Sequence, residues 1–402
     1  MIAQGISKIV AYKVQSALGA PSSGSGGQAL RRVTSVAKAT RATYTSNEIV
    51  AHQQSTGVNL GTAASDWALD GLLSAGTYAE LLAGMLRKAL TATTPITASI
   101  TITTGPFTLT DAANGFLAAG LKIGDVIQIT AGTYANAVNK NNNLLITGVT
   151  ATAITVVVLN GTTLIAEGPI AASTITIVGK KALVPLTGHT DLLYTLEEWY
   201  PDISKSETFP DLRMSQADIG LPASGNATIK LAAMGLGVRT IGASQVLTTP
   251  NAATTSEVLT AVRGLLMVNG STVTNVTGVS ISIKANMSAE GPIVGSNYSP
   301  DMARGRIEVS GQFTALFDGS TISTLFSNET LTSLVAVMAD STANNAEFVA
   351  FSMSAIKLTG DAPDDGEKGV VRTYPFVAQI NAAGGAALAN DETIITIQDS
   401  KA

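Results

Sequence analysis

Cysteine is absent from the 402 residues. That excludes disulfides and thiolate metal sites, and it suits a reducing compartment. Histidine is nearly absent too, with only His52 and His189. A hydrolase triad needs one of them beside a nucleophile and a carboxylate, and no Gly-x-Ser-x-Gly elbow stands between a strand and a helix. Charge is sparse, at 13% of residues against a usual ~25%. The 24 basic and 29 acidic residues leave a net charge of −5. With no long basic run, tight phosphate binding is not expected. No apolar run approaches the ~18 residues of a membrane span, and Met1 to Gln15 lack the apolar core of a secretory signal. There is no phosphate-cradling Gly-x-x-x-x-Gly-Lys-Ser/Thr loop. Gly235-Leu236-Gly237 begins like a dinucleotide fingerprint, but its third glycine is misplaced. The expectation is no catalytic residue, no cofactor, no metal and no enzyme activity.

Three weaker constellations point the same way. Asp361, Asp364, Asp365, Gly366 and Glu367 form one acidic cluster. Read as a calcium loop it places Pro363 at position three and Arg372 at position twelve, both wrong for that motif, so it reads as a solvated hairpin loop. Glu197, Glu198 and Asp202 could imitate paired acid and base, but their closeness in sequence reads as a solvated edge. Trp67, Trp199, Tyr200, Phe313 and Phe317 could line a sugar platform, and are read instead as β-sandwich core.

Thr, Ser, Asn and Gly supply the polar character. Short Thr/Val/Ile runs broken by glycine mark a mainly β chain. A weakly charged surface costs little to desolvate, which suits extensive subunit contact. Ser65 to Asp70 alternate, with Trp67 and Leu69 on one face and Asp66, Ala68 and Asp70 on the other. A helix is predicted over Thr77 to Lys88. Thr77 and Glu80 have capping-box spacing, and Tyr78, Leu81, Leu82, Met85 and Leu86 form one stripe. From about Thr93 to Lys181 the chain turns Thr-rich and β-like, with a short helical turn allowed near Ala112 to Ala119. It reads as a small inserted all-β domain. Strands resume at Tyr194 to Ile203, Leu212 to Ile219 and Ala227 to Met234. Ala243 to Ser256 reads as a polar connector.

The C-terminal part repeats the programme. Val279, Ile281 and Ile283 alternate with Ser280, Ser282 and Lys284, and Ile307 to Ala315 alternate likewise. A helical stripe follows near Ser320 to Asn328. Leu72 to Tyr78 lie on Leu316 to Ile322, Leu81-Leu82 on Leu325-Phe326, and Arg213-Met214-Ser215 on Ser352-Met353-Ser354. The first copy carries roughly a hundred extra residues, about one small domain. The expected division is 1–92 with 182–245 as the first module, 93–181 as the insertion, and 246–402 as the second module.

Several stretches resemble the tail tube (major tail) proteins of long-tailed bacteriophages. They are Tyr44 to Ile49, Gly76 to Leu81, Leu265 to Val279, Val294 to Asn297 with Pro300-Asp301, Gly311 to Ala315, and Asp364 to Glu367. They spread over most of the chain outside the insertion. Ala51 to Gln54 depart from the pattern, where more charge is expected.

The resemblance implies two tandem tail-tube-type β-sandwich or barrel modules, each flanked by one α-helix, plus the inserted β domain. It also implies self-assembly into stacked rings around a channel for DNA, which touches DNA only in transit and has no membrane partner. Tape-measure, tail-tip and terminator proteins would be the other partners, in a virion tail assembled in the host cytoplasm. Families with one module per chain place six around a ring, so two modules per chain imply a trimer with pseudo-sixfold symmetry. Two polar hairpin loops, Ser46 to Gly57 and Gly291 to Arg304, are expected to reach a neighbouring subunit or ring. Their candidate residues are Tyr44, Asn47, Glu48, Ile49, His52, Gln53, Val294, Asn297, Tyr298 and Asp301. A capsid decoration protein or a β-rich adhesin is the alternative; a polysaccharide-degrading enzyme would need a carboxylate pair that the sequence does not offer.

Overall fold

The computed structural model describes residues 2–159, 162–364, 367 and 369–402. Asp365 and Gly366 of the acidic cluster lie outside the described residues. The chain is 47% strand and 5% helical, as a Thr/Val/Ile-rich sequence with glycine punctuation dictates.

Two β-sandwich modules repeat one pairing scheme. Thr34–Thr45 pairs with Val58–Leu72 as Val276–Lys284 pairs with Glu308–Leu316. Val58–Leu72 then pairs with Thr228–Gly235 as Glu308–Leu316 pairs with Val371–Ala378. Thr228–Gly235 pairs with Lys205–Pro222; its counterpart pairs with Phe348–Leu358 and Ala362–Pro363. Behind these, Tyr194–Tyr200 lies between Ile9–Val14 and Lys205–Pro222, as Thr332–Ala339 lies between Gly264–Val268 and Phe348–Leu358. One overlay satisfies every pair: Asp70 on Thr314, Lys230 on Thr373, Asp218 on Ala362 and Leu212 on Ile356. Even the bulge between Tyr194 and Leu196 recurs between Thr332 and Leu334.

The overlay of Leu72 to Tyr78 on Leu316 to Ile322 keeps this register. That of Arg213 on Ser352 does not: the ladders set Arg213 on Lys357, because both residues follow the shared bulge by one position and pair with Met234 and Val377.

The modules share one continuous wall sheet. Val276–Lys284 of the second module pairs with the C-terminal half of Lys205–Pro222 from the first. The order is Thr34–Thr45, Val58–Leu72, Thr228–Gly235, Lys205–Pro222, Val276–Lys284, Glu308–Leu316, Val371–Ala378, Ala362–Pro363. Alternate residues of this sheet, such as Trp67, Leu69, Ile229, Leu231, Ile281, Ile283, Phe313 and Phe376, enter one core with the rear strands. Their neighbours stay on an open face.

The first helix spans Ala79–Leu86 and buries Leu81, Leu82, Met85 and Leu86. It is shorter than predicted and has no capping box. The Thr77 hydroxyl is engaged with Ser74 (2.6 Å) and Thr254 (2.5 Å), so it is not available to the helix N–H groups. Arg87 ends the helix in a left-handed conformation. Gly84 lets the Tyr194 ring approach, since a Cβ there would collide with its hydroxyl; that hydroxyl donates to the Glu80 carbonyl at 3.0 Å. The second helix, Thr321–Ser327, has no fully buried residue.

The insertion is a closed six-stranded antiparallel barrel built from strands between Ile96 and Ile177. Its own core includes Ile100, Leu109, Phe116, Ile127, Ile146 and Ile154. A single helical turn ends at Ala119, whose N–H donates to the Gly115 carbonyl at 3.0 Å, and it does not extend into a helix.

The barrel docks on the rear sheet of the second module. Val126 and Leu145 meet Met267, Val335, Val337 and Phe348. Gln398 reaches across to accept from the Val126 N–H (2.9 Å) and to donate to the Val126 and Val178 carbonyls. Lys181, half-buried beside Asp125 (3.1 Å) and Asp391 (3.5 Å), closes the junction. Desolvation opposes its charge, yet the two carboxylates outweigh that and raise its pKa.

Candidate functional site

Among the described residues, both ends of the wall sheet are unpaired. At one end Thr34–Thr45 pairs only with Val58–Leu72. Beyond Lys38 this hairpin leaves the sandwich and projects as an arm. Almost every residue from Lys38 to Leu60 is exposed, including Tyr44, Ile49, Val58 and Leu60. At the other end Ala362–Pro363 pairs only with Val371–Ala378. An unpaired edge beside an exposed apolar arm is a template for another chain.

The ten predicted loop residues fall into two groups. Tyr44, Asn47, Glu48, Ile49, His52 and Gln53 all lie on the projecting arm and are exposed. Asn297, Tyr298 and Asp301 lie in the corresponding loop of the second module, which folds back on the first. The Asn297 carbonyl accepts from the Ala63 N–H at 2.8 Å, and Tyr298 bridges Ala63. Ser299 and Met302 are buried there. Buried Arg213 binds Asp301 and Asp191, each at 2.6 Å. Desolvation works against an ionised Asp301, but the Arg213 hydrogen bond prevails and lowers its pKa. Val294 is fully exposed, and Asn297 is exposed as well although its carbonyl is engaged.

The open face of the wall sheet is small and weakly charged. Its charged side chains are Lys38, Lys230 and Lys284 against Asp66, Asp70, Asp218 and Glu308, a slight acidic excess. They compensate one another: Lys230 stands in register between Asp70 and Asp218, and Lys284 opposite Glu308. Lys38 reaches Asp66 at 3.7 Å. Between them lie Ser280, Ser282, Ser310, Gln312, Thr314 and Thr373. Such a surface offers a polyanion little to grip.

Residues 5–378 match the family model described as phage tail tube protein. The chain belongs to that family. No curated protein matches it. A structural role in the tail tube follows, and with it a place in the virion tail.

In this tube protein Glu197, Glu198 and Asp361 are engaged in contacts within the fold. Glu197 and Glu198 are buried, not a solvated edge. Sequence neighbours on a strand point to opposite faces, so each enters its own network. Glu197 accepts from Ser206 (2.5 Å) and from the N–H groups of Val246 and Leu247, which fixes the polar connector. Glu198 pairs with Lys8 at 3.0 Å and accepts from Ser35. Asp361 is not a solvated loop residue either, since it binds Arg372 at 2.6 Å. Arg372 in turn lies over the Phe317 ring, 4.2 Å from its centroid.

Trp67 and Phe313 are core, whereas Trp199 and Tyr200 are half-buried and Phe317 is exposed. His52 and His189 are exposed. Among the described residues, no group of three His, Asp or Glu side chains is placed to hold a metal. Sequence reasoning missed the docking role of Arg213; an arginine set directly between Leu212 and Met214 was the available signal.

Proposed function

We propose that this tail tube protein closes into rings of three chains, which stack into a tube for DNA passage during infection. The observation that carries the reading is a wall sheet with four strands from each module and both ends open. A barrel closes only at a strand number and tilt that fix its diameter. Three chains then supply the six modules that single-module relatives are expected to draw from six. The interfaces are heterologous, first module against second, within and between chains.

The weakly charged open face lines the channel in this reading. The inserted barrel lies outside the wall, because the core and the rear sheet separate it from that face. The modules are taken as 1–92 with 182–245, and 246–402, around an insertion at 93–181. Tyr44, Asn47, Glu48, Ile49, His52 and Gln53 meet a neighbouring copy. Asn297, Tyr298 and Asp301 stabilise the joint between modules, and Val294 is left to meet another ring. Tape-measure, tail-tip and terminator proteins are the further partners, and assembly occurs in the host cytoplasm.

Cryo-electron microscopy of the purified chain tests this. Tubes with three chains and six alternating modules per ring are expected. Six chains per ring, or discrete particles that bind capsids or glycans, would overturn it.

A further inference from the structure

We infer that the seam between copies repeats, residue for residue, the seam inside the chain, so that Lys38 of one copy stands opposite Ala362 of the next. This rests on the ring reading above but fixes which strands meet, in what register, and where the arm goes.

Within the chain, the second module joins the first in two ways. Its strand Val276–Lys284 pairs with Lys205–Pro222, setting Ser282 opposite Asp218 and Ser280 opposite Gly220. Its loop then folds over the first module, burying Met302 and placing Asp301 on Arg213. The overlay of the modules carries Val276–Lys284 onto Thr34–Thr45, the unpaired strand at one end. It carries Gln216 to Gly220 onto Gly360 to Asp364, the unpaired stretch at the other. The two open edges are therefore the two halves of a joint that the chain already makes once.

The arm supports the same conclusion. Ser288–Ala289 pairs with Met302–Ala303 as Tyr44–Thr45 pairs with Val58–Asn59. Val58 thus holds the place of Met302. Met302 is 2% exposed, with Arg213 of the first module donating to its carbonyl, whereas Val58 is 60% exposed. Burial at one joint and exposure of the equivalent residue at the other is what an unfilled contact looks like.

The two joints differ in chemistry. Gly57 stands where Asp301 stands, and Lys357 where Arg213 stands, so the ion pair is not repeated; Lys357 already pairs with Glu329 at 3.0 Å. Tyr44 replaces Ser288 and Leu60 replaces Arg304. The joint between copies is held by apolar burial where the internal one is held by charge. The arm therefore docks on the second module of the neighbour in the same ring, not on the next ring.

Because the chain has no cysteine, disulfide trapping reads this register directly. Assembled Lys38→Cys/Ala362→Cys and, independently, Val36→Cys/Asp364→Cys are oxidised and run under denaturing conditions. Asp218→Cys/Ser282→Cys is the internal reference. Covalent dimers and trimers are expected from the first two. The slipped pair Thr40→Cys/Ala362→Cys is displaced by roughly 6.8 Å along the strand, beyond disulfide reach, and stays monomeric. Tubes from the unmodified chain with no cross-link in either matched pair, or with preferential cross-linking of the slipped pair, would overturn the seam and leave the ring reading standing. Failure of the unmodified chain to form rings would remove both.

Discussion

The Arg213 guanidinium contacts the Asp301 carboxylate at 2.6 Å and Asp191 at 2.6 Å, and so ties the loop of the second module to the strand that crosses both sheets of the first. Arg213 is 5% exposed at its side chain, whereas Asp301 is nearly half exposed. Its neutral replacement leaves the carboxylates partly solvated, so the cost stays below that of a stranded buried charge. Arg213→Met is expected to lower stability by about 1–3 kcal/mol, the scale of hydrogen bonds to charged groups. Hydrogen exchange checks it. Protection at Ala63 and around Met302 should fall, while the inserted barrel stays protected. Unchanged exchange there would show that the ion pair does not hold the loop.

Removal of the inserted barrel tests its place outside the wall. Replacing 93–181 by a short linker is not sufficient by itself, because docking covers Met267, Val335, Val337 and Phe348. Each such side chain is worth about 1.5–3 kcal/mol when buried, and a bare deletion would leave that patch in water. The deletion combined with Val335→Thr and Val337→Thr should therefore form tubes, and the bare deletion should aggregate. Electron microscopy and sedimentation separate the outcomes. A folded compensated variant that never polymerises would put the barrel in the wall.

Much of this architecture could be read from the sequence where one strand face is buried. Alternation identified Trp67 and Leu69, and Val279, Ile281 and Ile283, because period-two burial leaves a direct mark. The repeat was legible from Leu72 to Tyr78 because the strand end, turn and helix start recur at fixed spacing. Long-range pairing was not legible. Arg213 was set on Ser352 instead of Lys357, since local resemblance carries no information about ladder register. The capping box at Thr77 failed because Thr254, far away in sequence, takes the hydroxyl. The burial of Glu197 depends on the amides of Val246 and Leu247, which no local pattern reveals. The arm residues were singled out, but not that the two loops stand in different states, one docked and one projecting.

Asp399 gives a pH-dependent readout of the joint between the modules. Its carboxylate accepts from the Gly76 N–H (2.8 Å) in the first module and from the Lys401 N–H. Burial pushes its pKa from 3.8 up to about 6. A raised carboxyl pKa means that the folded state holds the proton more tightly than the unfolded chain. The resulting stability is fully present below about 4 and is lost as pH rises through about 6. Asp399→Asn removes this dependence. The melting temperature of the variant minus that of the parent should rise between pH 4 and pH 6 and level off above. A flat difference would show that Asp399 titrates normally.

The arm provides the sharpest test of assembly. Tyr44, Ile49, Val58 and Leu60 are exposed in the single chain, and so contribute little to its stability; a neighbour would bury them. Replacing Tyr44 to Gln54 by a short Gly/Ser linker should block polymerisation and leave the melting temperature of the monomer nearly unchanged, since surface changes cost within about 0.5 kcal/mol. A milder variant, Val58→Asp with Leu60→Asp, places two charges where burial is expected. Desolvating an unpaired carboxylate costs several kcal/mol, enough to shift assembly by orders of magnitude in concentration. Sedimentation velocity across a concentration series measures it, with circular dichroism confirming the fold. Normal tubes from either folded variant would show that the arm makes no contact required for assembly, and that the exposed edge strand alone carries the joint.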